Sequence, residues 1–393
     1  MNFAIIGCGY VAEQYVATLS RHPELRLAGV FDADAARAAA LAARTGVQSY
    51  ATREMLLADP QIPLVVNLTN PRSHFEINRA CLAAGKHVYS EKPLAMTTAD
   101  AASLAALADT RRLHLSSAPC SVLSEAAQTL WKAVRSGIAG RVRLVYATFD
   151  DGMIAPHLAP WTWASDGGVP WPAKDEFEIG CTYQHAGYVV TWLCAMFGPA
   201  RRITSFAALQ LPDKGVAVET MAPDFTVGCV EFDTGIVARI TCGLVAPRDK
   251  SIVVVGDKGT LSVGNVRDDL APVFWRPATE SRSVSLVRRR LPAVYRWLQS
   301  RIADAGVAGL FASEVPSVPH AGRTWAAPGK RVDFLRGPSE MVEAIQSGRR
   351  SRLPSDFSVH LVEVIERLQH PERFADRRMT TSFAPIEPMS WAT

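Results

Sequence analysis

Apolar residues in the first 120 positions form short runs that alternate with amphipathic stretches. The runs FAII (3–6), LRLAGVFDAD (25–34) and PLVVNLT (63–69) have the length and composition of buried strands. Further strands are predicted near 47–50, 86–93 and 113–119, and helices over 35–46, 53–59, 73–85 and 97–109. Because strands alternate with helices, the pattern predicts a doubly wound parallel sheet and an α/β fold.

Beyond Pro119 the period of the pattern changes. A helix is predicted over 124–137, followed by alternating apolar and polar strands over 141–149, 200–209, 224–232, 235–244, 251–257 and 259–264. FDTGI and GDKGT between them have the composition of hairpin turns. Two closing helices follow position 334, the second with Ser355 as a candidate N-cap. This region predicts an α+β domain with a large, mostly antiparallel sheet.

Residues 270–330 form a basic segment that interrupts this pattern. Arginine is frequent in SVSLVRRRLPAVYRWLQSRIADAGVAGLF, and Leu291, Tyr295, Leu298 and Ile302 recur at helical spacing. Such a helix is most often a solvated face over a subunit contact, while binding to an anionic membrane surface or a phosphorylated ligand remains open. We treat it as an insertion in the second domain.

Length and composition limit the number of domains and the class of protein. A chain of 393 residues suits two domains, which we place at 1–120 and 121–393. With 42 basic and 38 acidic residues, it lacks the charge pattern of a nucleic-acid-binding protein. The seven cysteines are scattered without a CxxC spacing, so we predict buried thiols and no metal site. No signal peptide or membrane-spanning run is recognised, and the expected location is the cytoplasm.

The segment GCGYVA (7–12) carries the first candidate chemistry. Gly7, Gly9 and Ala12 have the spacing of the dinucleotide-binding turn, which needs a tight bend, room for a pyrophosphate and a small residue against the strand. Asp32 ends the next predicted strand, where a carboxylate accepts hydrogen bonds from the ribose hydroxyls and repels a 2′-phosphate. The sequence therefore predicts a Rossmann domain that binds NAD, with NADP still possible.

Three longer segments extend this picture: NLTNPRSHFEINRACLAAGKHVYSEKPLAM, GCTYQHAGYVVTWLCAMFGP and the glycine turn itself. With them the chain resembles the Gfo/Idh/MocA oxidoreductases, which include glucose-fructose oxidoreductase and inositol dehydrogenases. The resemblance covers the first domain and most of the second. It implies an NAD(P)-dependent enzyme that acts on a sugar, cyclitol or nucleotide sugar, and a homo-oligomer, a dimer or tetramer, formed through the open face of the second sheet.

The resemblance also assigns site residues. Glu91, Lys92 and Pro93 match the family's EKP motif, in which the lysine faces the substrate hydroxyl beside the nicotinamide. A cation there stabilises a developing alkoxide. The predicted cofactor-binding residues are Gly7, Gly9, Tyr10, Val11, Ala12, Asp32, Thr69, Asn70, Pro71, His74, Glu91, Lys92 and Pro93.

One helix departs from the family pattern. Its relatives carry an aspartate followed four residues later by a histidine, whereas this chain has Gln184 and Tyr188 at those positions. Glucose-fructose oxidoreductase also has tyrosine at the second position, so Tyr188 is the first candidate for moving the proton. His185 lies three residues before it on the same helix edge and is the competing candidate.

Residues 150–179 are punctuated by glycine and proline and contain Trp161, Trp163 and Trp171 with several acids. Long loops of this kind are often functional, and tryptophan faces with carboxylates suit sugars. We predict a substrate lid, with a packing or interface loop as the alternative. The predicted substrate-binding residues are Lys92, Trp161, Trp163, Gln184, His185 and Tyr188.

The resulting hypothesis is hydride transfer between nicotinamide and a secondary alcohol or ketone, with Lys92 polarising the oxygen. Two rival functions remain open. One is a catalytically silent NAD-binding sensor or scaffold, which the loss of the aspartate and histidine pair would favour. The other is an enzyme whose overall reaction is not redox and which recycles a tightly bound NAD.

Overall fold

The computed structural model describes residues 1–278, 289–293, 312–318 and 331–393. The first six strands form one parallel sheet in the order β3-β2-β1-β4-β5-β6. They are β1 (Asn2–Ile6), β2 (Arg26–Phe31), β3 (Gln48–Ser49), β4 (Leu64–Asn67), β5 (His87–Ser90) and β6 (Leu115–Ser117). The order reverses between β1 and β4, and ligands of such sheets bind at the carboxyl ends of the strands there.

Five helices cover this sheet, as the alternating pattern predicted. They are α1 (Tyr10–Val16), α2 (Ala35–Thr45), α3 (Arg53–Ala58), α4 (His74–Ala83) and α5 (Thr98–Arg111). Side chains of the N-cap residues start three of them, because Asp34, Thr52 and Thr97 accept hydrogen bonds from first-turn amides.

The second sheet has eight described strands in the order β14-β13-β12-β11-β7-β10-β9-β8. They are β7 (Val142–Asp150), β8 (Ala200–Ala208), β9 (Phe225–Phe232), β10 (Val237–Gly243), β11 (Ile252–Gly256), β12 (Gly259–Val263), β13 (Val273–Pro277) and β14 (Ser313–Glu314). All neighbouring pairs are antiparallel except β7 with β10. The predicted mostly antiparallel sheet is therefore confirmed.

Helices bury one face of this sheet. They are α6 (Glu125–Arg135), α8 (Gly187–Phe197) and α10 (Ser355–Gln369). Of the two other helices of this region, α7 (Ala173–Ile179) contacts residues 182–186 before α8, and α9 (Arg336–Ser347) packs on β5 and β6 of the first sheet. Val145, Ala147 and Phe149 of β7 point into the core, so the alternate residues Leu144 and Tyr146 point outward and are exposed. The opposite face of the sheet thus carries large apolar side chains.

Two sequence predictions about the second domain need comment. The segment 270–330 stays a predicted insertion, but part of it belongs to the sheet, because β13 and β14 pair beyond β12. Most of its predicted basic helix lies outside the described residues, although Arg289 and Arg290 are described and exposed. Ser355 is the first residue of α10 rather than its N-cap, since Pro354 holds that position and no side chain caps the helix.

The C-terminal helix α10 joins the two sheets. It packs against α5 of the first sheet and against β8 of the second. The Glu366 carboxylate accepts hydrogen bonds from the amide and hydroxyl of Thr98 at the start of α5. The cysteines are free thiols, all buried except Cys229. Within the described residues, no helix is both long and apolar enough to cross a bilayer.

Candidate active site

A cleft of about 780 Å³ lies at the carboxyl ends of β1, β2, β4 and β5, under the segment that follows β7. Most predicted site residues line it: Gly7, Gly9, Tyr10, Val11, Asp32, Thr69, Asn70, Pro71, Glu91, Lys92, Trp163, Gln184, His185 and Tyr188. Residues predicted to bind the cofactor and residues predicted to bind the substrate therefore share one continuous cavity.

The glycine turn after β1 suits a dinucleotide. Gly7 has a φ of 98°, and a Cβ on it would come within 2.6 Å of Leu68 carbonyl carbon and of the Thr69 amide nitrogen. A Cβ on Gly9 would have no atom within 4 Å, so the cleft is open beside it. Gly9 also precedes α1 without a side-chain cap, which leaves first-turn N–H groups for a ligand. These features fit a bound pyrophosphate.

Asp32 lies at the end of β2 on the wall of the same cleft. Its carboxylate accepts hydrogen bonds from the Cys8 amide at 2.6 Å and the Asp34 amide at 2.8 Å, which hold it beside the turn. Arg37 also lines this part of the cleft, with its guanidinium 3.2 Å from the Asp34 carboxylate. The sequence analysis did not select Arg37, a cation on the same cleft wall as Asp32.

Lys92 follows β5 and reaches across to the second domain. Its ammonium donates a hydrogen bond of 2.9 Å to the side-chain oxygen of Gln184. The neighbouring Glu91 carboxylate accepts from the Tyr15 hydroxyl at 2.8 Å and from the Lys92 amide at 3.0 Å. The backbone of this turn is thus fixed by buried groups, and the lysine side chain is directed into the cleft.

Four predicted residues do not line the cleft. Ala12 is buried in the core, as close packing of α1 requires. The buried His74 ring lies 2.6 Å from the Pro93 carbonyl oxygen and 2.9 Å from that of Thr69. His74 and Pro93 therefore tie the turns after β4 and β5 together behind the wall. Trp161 packs against the core and Gly215.

Gln184, His185 and Tyr188 lie where a π-helical turn, Thr182–Ala186, leads into α8. The rings of His185 and Tyr188 each lie 5.1 Å from the ring of Phe149, Tyr188 nearly parallel to it. The predicted shared edge is therefore present. Tyr188 also contacts a cation, since the guanidinium carbon of Arg267 lies 5.1 Å from the centroid of its ring.

His185 belongs to a cluster of charges that the sequence analysis missed. Its Nε2 lies 3.0 Å from the Glu176 carboxylate and 3.4 Å from that of Asp151. Asp151 also pairs with Lys250. Burial opposes the charge of Asp151, but His185 and Lys250 outweigh it and lower the pKa of this carboxyl to about 2. The sequence signal for this cluster is weak: Asp151 directly follows β7, and Lys250 comes just before β11.

The segment after β7 covers the cleft, as a lid would. The Gly167 amide donates a hydrogen bond of 2.9 Å to Glu13 on α1, so the segment touches the first domain. Trp163 lines the cleft, and its ring lies 5.8 Å from that of Trp171, a second lining residue. The stretch is not wholly irregular, because α7 occupies its end, with Asp175 and Glu176 in the first turn where acids stabilise a helix.

Comparison with known families agrees with this architecture. Residues 1–118 match the model described as oxidoreductase family, NAD-binding Rossmann fold, and residues 127–262 match the GFO/IDH/MocA C-terminal domain. Among curated proteins, the chain is 25% identical over 266 residues to trans-1,2-dihydrobenzene-1,2-diol dehydrogenase of Bos taurus, an alignment that spans 66% of this chain and 72% of that protein.

Solved structures share the fold over nearly the whole chain. Aldose-aldose oxidoreductase from Caulobacter crescentus superposes with a TM-score of 0.71 at 18% identity, over 95% of this chain and 97% of that one. The WlbA dehydrogenase from Bordetella pertussis, in complex with NADH and UDP-GlcNAcA, superposes with a TM-score of 0.67 at 17% identity, over 95% of each chain.

Proposed function

The chain belongs to the Gfo/Idh/MocA family of NAD(P)-dependent oxidoreductases, and we propose that it interconverts a secondary alcohol and a ketone on a sugar, cyclitol or nucleotide sugar. The observation that carries the proposal is the single cleft that joins Gly9 and Asp32 to Lys92, Gln184 and Tyr188. Names of relatives support a carbohydrate-like substrate, since one is an aldose-aldose oxidoreductase.

Gly7, Gly9, Asp32, Thr69 and Asn70 would hold the dinucleotide, and Asp32 favours NAD over NADP. The bound nicotinamide supplies the carbon that accepts or returns a hydride. Lys92 donates a hydrogen bond to the substrate oxygen and stabilises negative charge on it. The ammonium has three N–H donors. It can therefore keep its hydrogen bond to Gln184, which holds it in place, and donate another to the substrate.

Tyr188 is the proposed proton carrier. Its ring stacks on Phe149 and contacts the guanidinium of Arg267, so the hydroxyl has little freedom to move away from the cleft. His185 is the second candidate, but two carboxylates already lie within 3.4 Å of its Nε2. That arrangement favours a role for His185 in orienting Glu176 and Asp151 over a role in direct proton transfer.

We also propose self-association through the open face of the second sheet. Phe206, Leu144 and Tyr146 are 60%, 40% and 38% exposed on that face. Large apolar side chains exposed on one face of a sheet are typical of protein interfaces. Light scattering after size exclusion should give the mass of an oligomer, and Phe206→Glu should lower it. A monomeric wild-type protein would contradict this proposal.

The function is tested on the purified protein. Any bound nucleotide is identified by mass spectrometry, and absorbance of the reduced nicotinamide is then followed across sugars, cyclitols and nucleotide sugars. The proposal expects NAD(P) binding and reduction that depends on one substrate class. Bound NAD with product formation but no net reduction would indicate internal recycling, and bound NAD without turnover would indicate a sensor.

A further inference from the structure

Arg267 is a partly buried cation on the wall of the cleft, in the loop after β12. Within the described part of the chain, its guanidinium has no carboxylate within 4.0 Å, and its carbon lies 5.1 Å from the centroid of the Tyr188 ring. A guanidinium carries five N–H donors, and removing them from water without an acceptor is costly. The side chain is therefore poised for an acceptor that enters the cleft.

The carboxylates around Arg267 are already engaged elsewhere. Asp151 pairs with Lys250 and His185, and Glu176 pairs with His185. His185 and Lys250 therefore offset part of this negative charge, and Arg267 lies close enough for both acids to raise its pKa. A negatively charged ligand would meet a guanidinium that these acids attract but that forms no ion pair with them.

Glu91 is the third acid that raises the pKa of Arg267, and it too has partners. Its carboxylate accepts hydrogen bonds from Tyr15 and from the Lys92 amide. A second arginine, Arg248, comes from the loop between β10 and β11 and lines the cleft as an exposed side chain. Like Arg267, it forms no ion pair among the described residues. The substrate end of the cleft thus presents two guanidinium groups without an ion pair among the described residues, although Asp151, Glu91 and Glu176 lie near enough to Arg267 to raise its pKa.

We propose that the substrate of this enzyme carries a carboxylate, which Arg267 binds with help from Arg248. This inference rests on the proposed function, because it concerns the same cleft. The planar guanidinium matches a carboxylate through two parallel hydrogen bonds, so the contact fixes orientation as well as position. Since Arg267 lies against Tyr188, a carboxylate bound there would hold the sugar ring next to Tyr188 and Lys92. The predicted class is a sugar acid.

Paired ligands isolate the carboxylate. Methyl glycosides of glucuronate and galacturonate are compared with those of glucose and galactose, which differ only by a neutral hydroxymethyl group. Binding is measured calorimetrically to protein saturated with NADH, so no turnover is needed. We expect the acid of one pair to bind about 10- to 100-fold more tightly than its neutral partner, the range for hydrogen bonds to a charged group.

Variants assign the preference to Arg267. Arg267→Met should abolish the difference between acid and neutral ligand while NADH affinity and the melting temperature stay unchanged. Arg267→Gln is the second variant if Met destabilises the fold. Arg135→Met is the matched control, because Arg135 also lies over an aromatic ring, 5.4 Å from Trp131, but outside the cleft. It should keep the full preference.

The outcomes separate this inference from the proposed function. Equal binding of acid and neutral ligands, or a preference that survives Arg267→Met, would contradict the proposed binding of a carboxylate by Arg267. Neither result would contradict the proposed dehydrogenase function. Tighter binding of glucose 6-phosphate than of either acid would also contradict the binding of a carboxylate, in favour of a phosphate. Failure of the wild-type protein to bind NADH would remove both proposals together.

Discussion

The ammonium of Lys92 donates a 2.9 Å hydrogen bond to the side-chain oxygen of Gln184. This bond joins the end of β5 in the first domain to the π-helical turn before α8 in the second. The family resemblance leads one to expect an aspartate in place of Gln184, and a carboxylate would neutralise the lysine. An amide holds the ammonium without cancelling its charge, which leaves that charge available to an oxygen of the substrate.

Tyr188→Phe separates the two candidate proton carriers. The variant keeps the ring contacts with Phe149 and Arg267 but loses the hydroxyl, so we expect kcat to fall about 100- to 10,000-fold, the usual contribution of general acid–base catalysis. His185→Asn should cost less, because its ring is oriented toward two carboxylates. Steady-state rates of both variants identify the proton carrier. A larger loss of kcat in His185→Asn than in Tyr188→Phe would assign proton transfer to His185.

Gly7 and Gly9 make a matched pair of substitutions. Gly7→Ala puts a methyl group 2.6 Å from the backbone after β4 at a φ of 98°, so it should lower the free energy of unfolding by about 1–3 kcal/mol or more. Gly9→Ala meets no atom within 4 Å and should fold normally while losing NAD affinity. Thermal melts and nucleotide titrations test both. Normal NAD binding by Gly9→Ala would mean that the turn does not hold the pyrophosphate.

Asp32 should determine the preference for NAD. Its carboxylate would repel a 2′-phosphate, so Asp32→Ala should raise the ratio of NADP to NAD affinity by about tenfold or more. Arg37 lies in the same part of the cleft and would attract that phosphate. Arg37→Ala should therefore weaken NADP binding and leave NAD binding unchanged. Titration with both nucleotides checks this, and an unchanged ratio in Asp32→Ala would contradict it.

Asp150 gives a pH-dependent prediction. Burial, with Asp249 and Asp151 nearby, raises the pKa of this carboxyl to about 6 from an ordinary value of 3.8. The folded protein therefore keeps this proton at pH values where the unfolded chain has released it. Its contribution to stability is complete below pH 3.8 and is lost as the pH rises through 6.

Asp150→Asn removes that titration. At pH 7.5 the variant should exceed the wild type by about 1–3 kcal/mol in free energy of unfolding, and the difference should vanish near pH 4. Denaturant titrations at both pH values measure it. The exposed Asp109 supplies the control Asp109→Asn, which should show no such change. A variant less stable than the wild type at pH 7.5 would contradict the prediction.

The sequence was most informative where structure depends on local spacing. Buried strands such as β1 and β4 are continuous apolar runs, and their helices carry a regular apolar face. The ends were less accurate: the strand predicted over 86–93 stops at Ser90, because the chain turns at Glu91 toward Pro93, which has no N–H to donate. Helical spacing likewise placed His185 and Tyr188 together against Phe149.

Contacts between distant segments were not accessible in this way. Asp151, Lys250 and Arg267 come from the ends of different strands, and only the pairing order of the second sheet brings them to one cleft. His74 was assigned to the cofactor by motif, but whether its ring faces the cleft or the core depends on the turns after β4 and β5. Local sequence carries no signal for either arrangement.

The central claim is that the charge of Lys92 stabilises the substrate oxygen while a hydride is transferred at the carbon that bears it. Lys92→Met preserves the length of the side chain and removes the charge, with Lys132→Met on the surface of α6 as control. With the substrate found in the panel, the initial rate of NADH formation should fall about 100- to 1,000-fold in Lys92→Met while NADH affinity is retained. An unchanged rate in that variant would contradict the account.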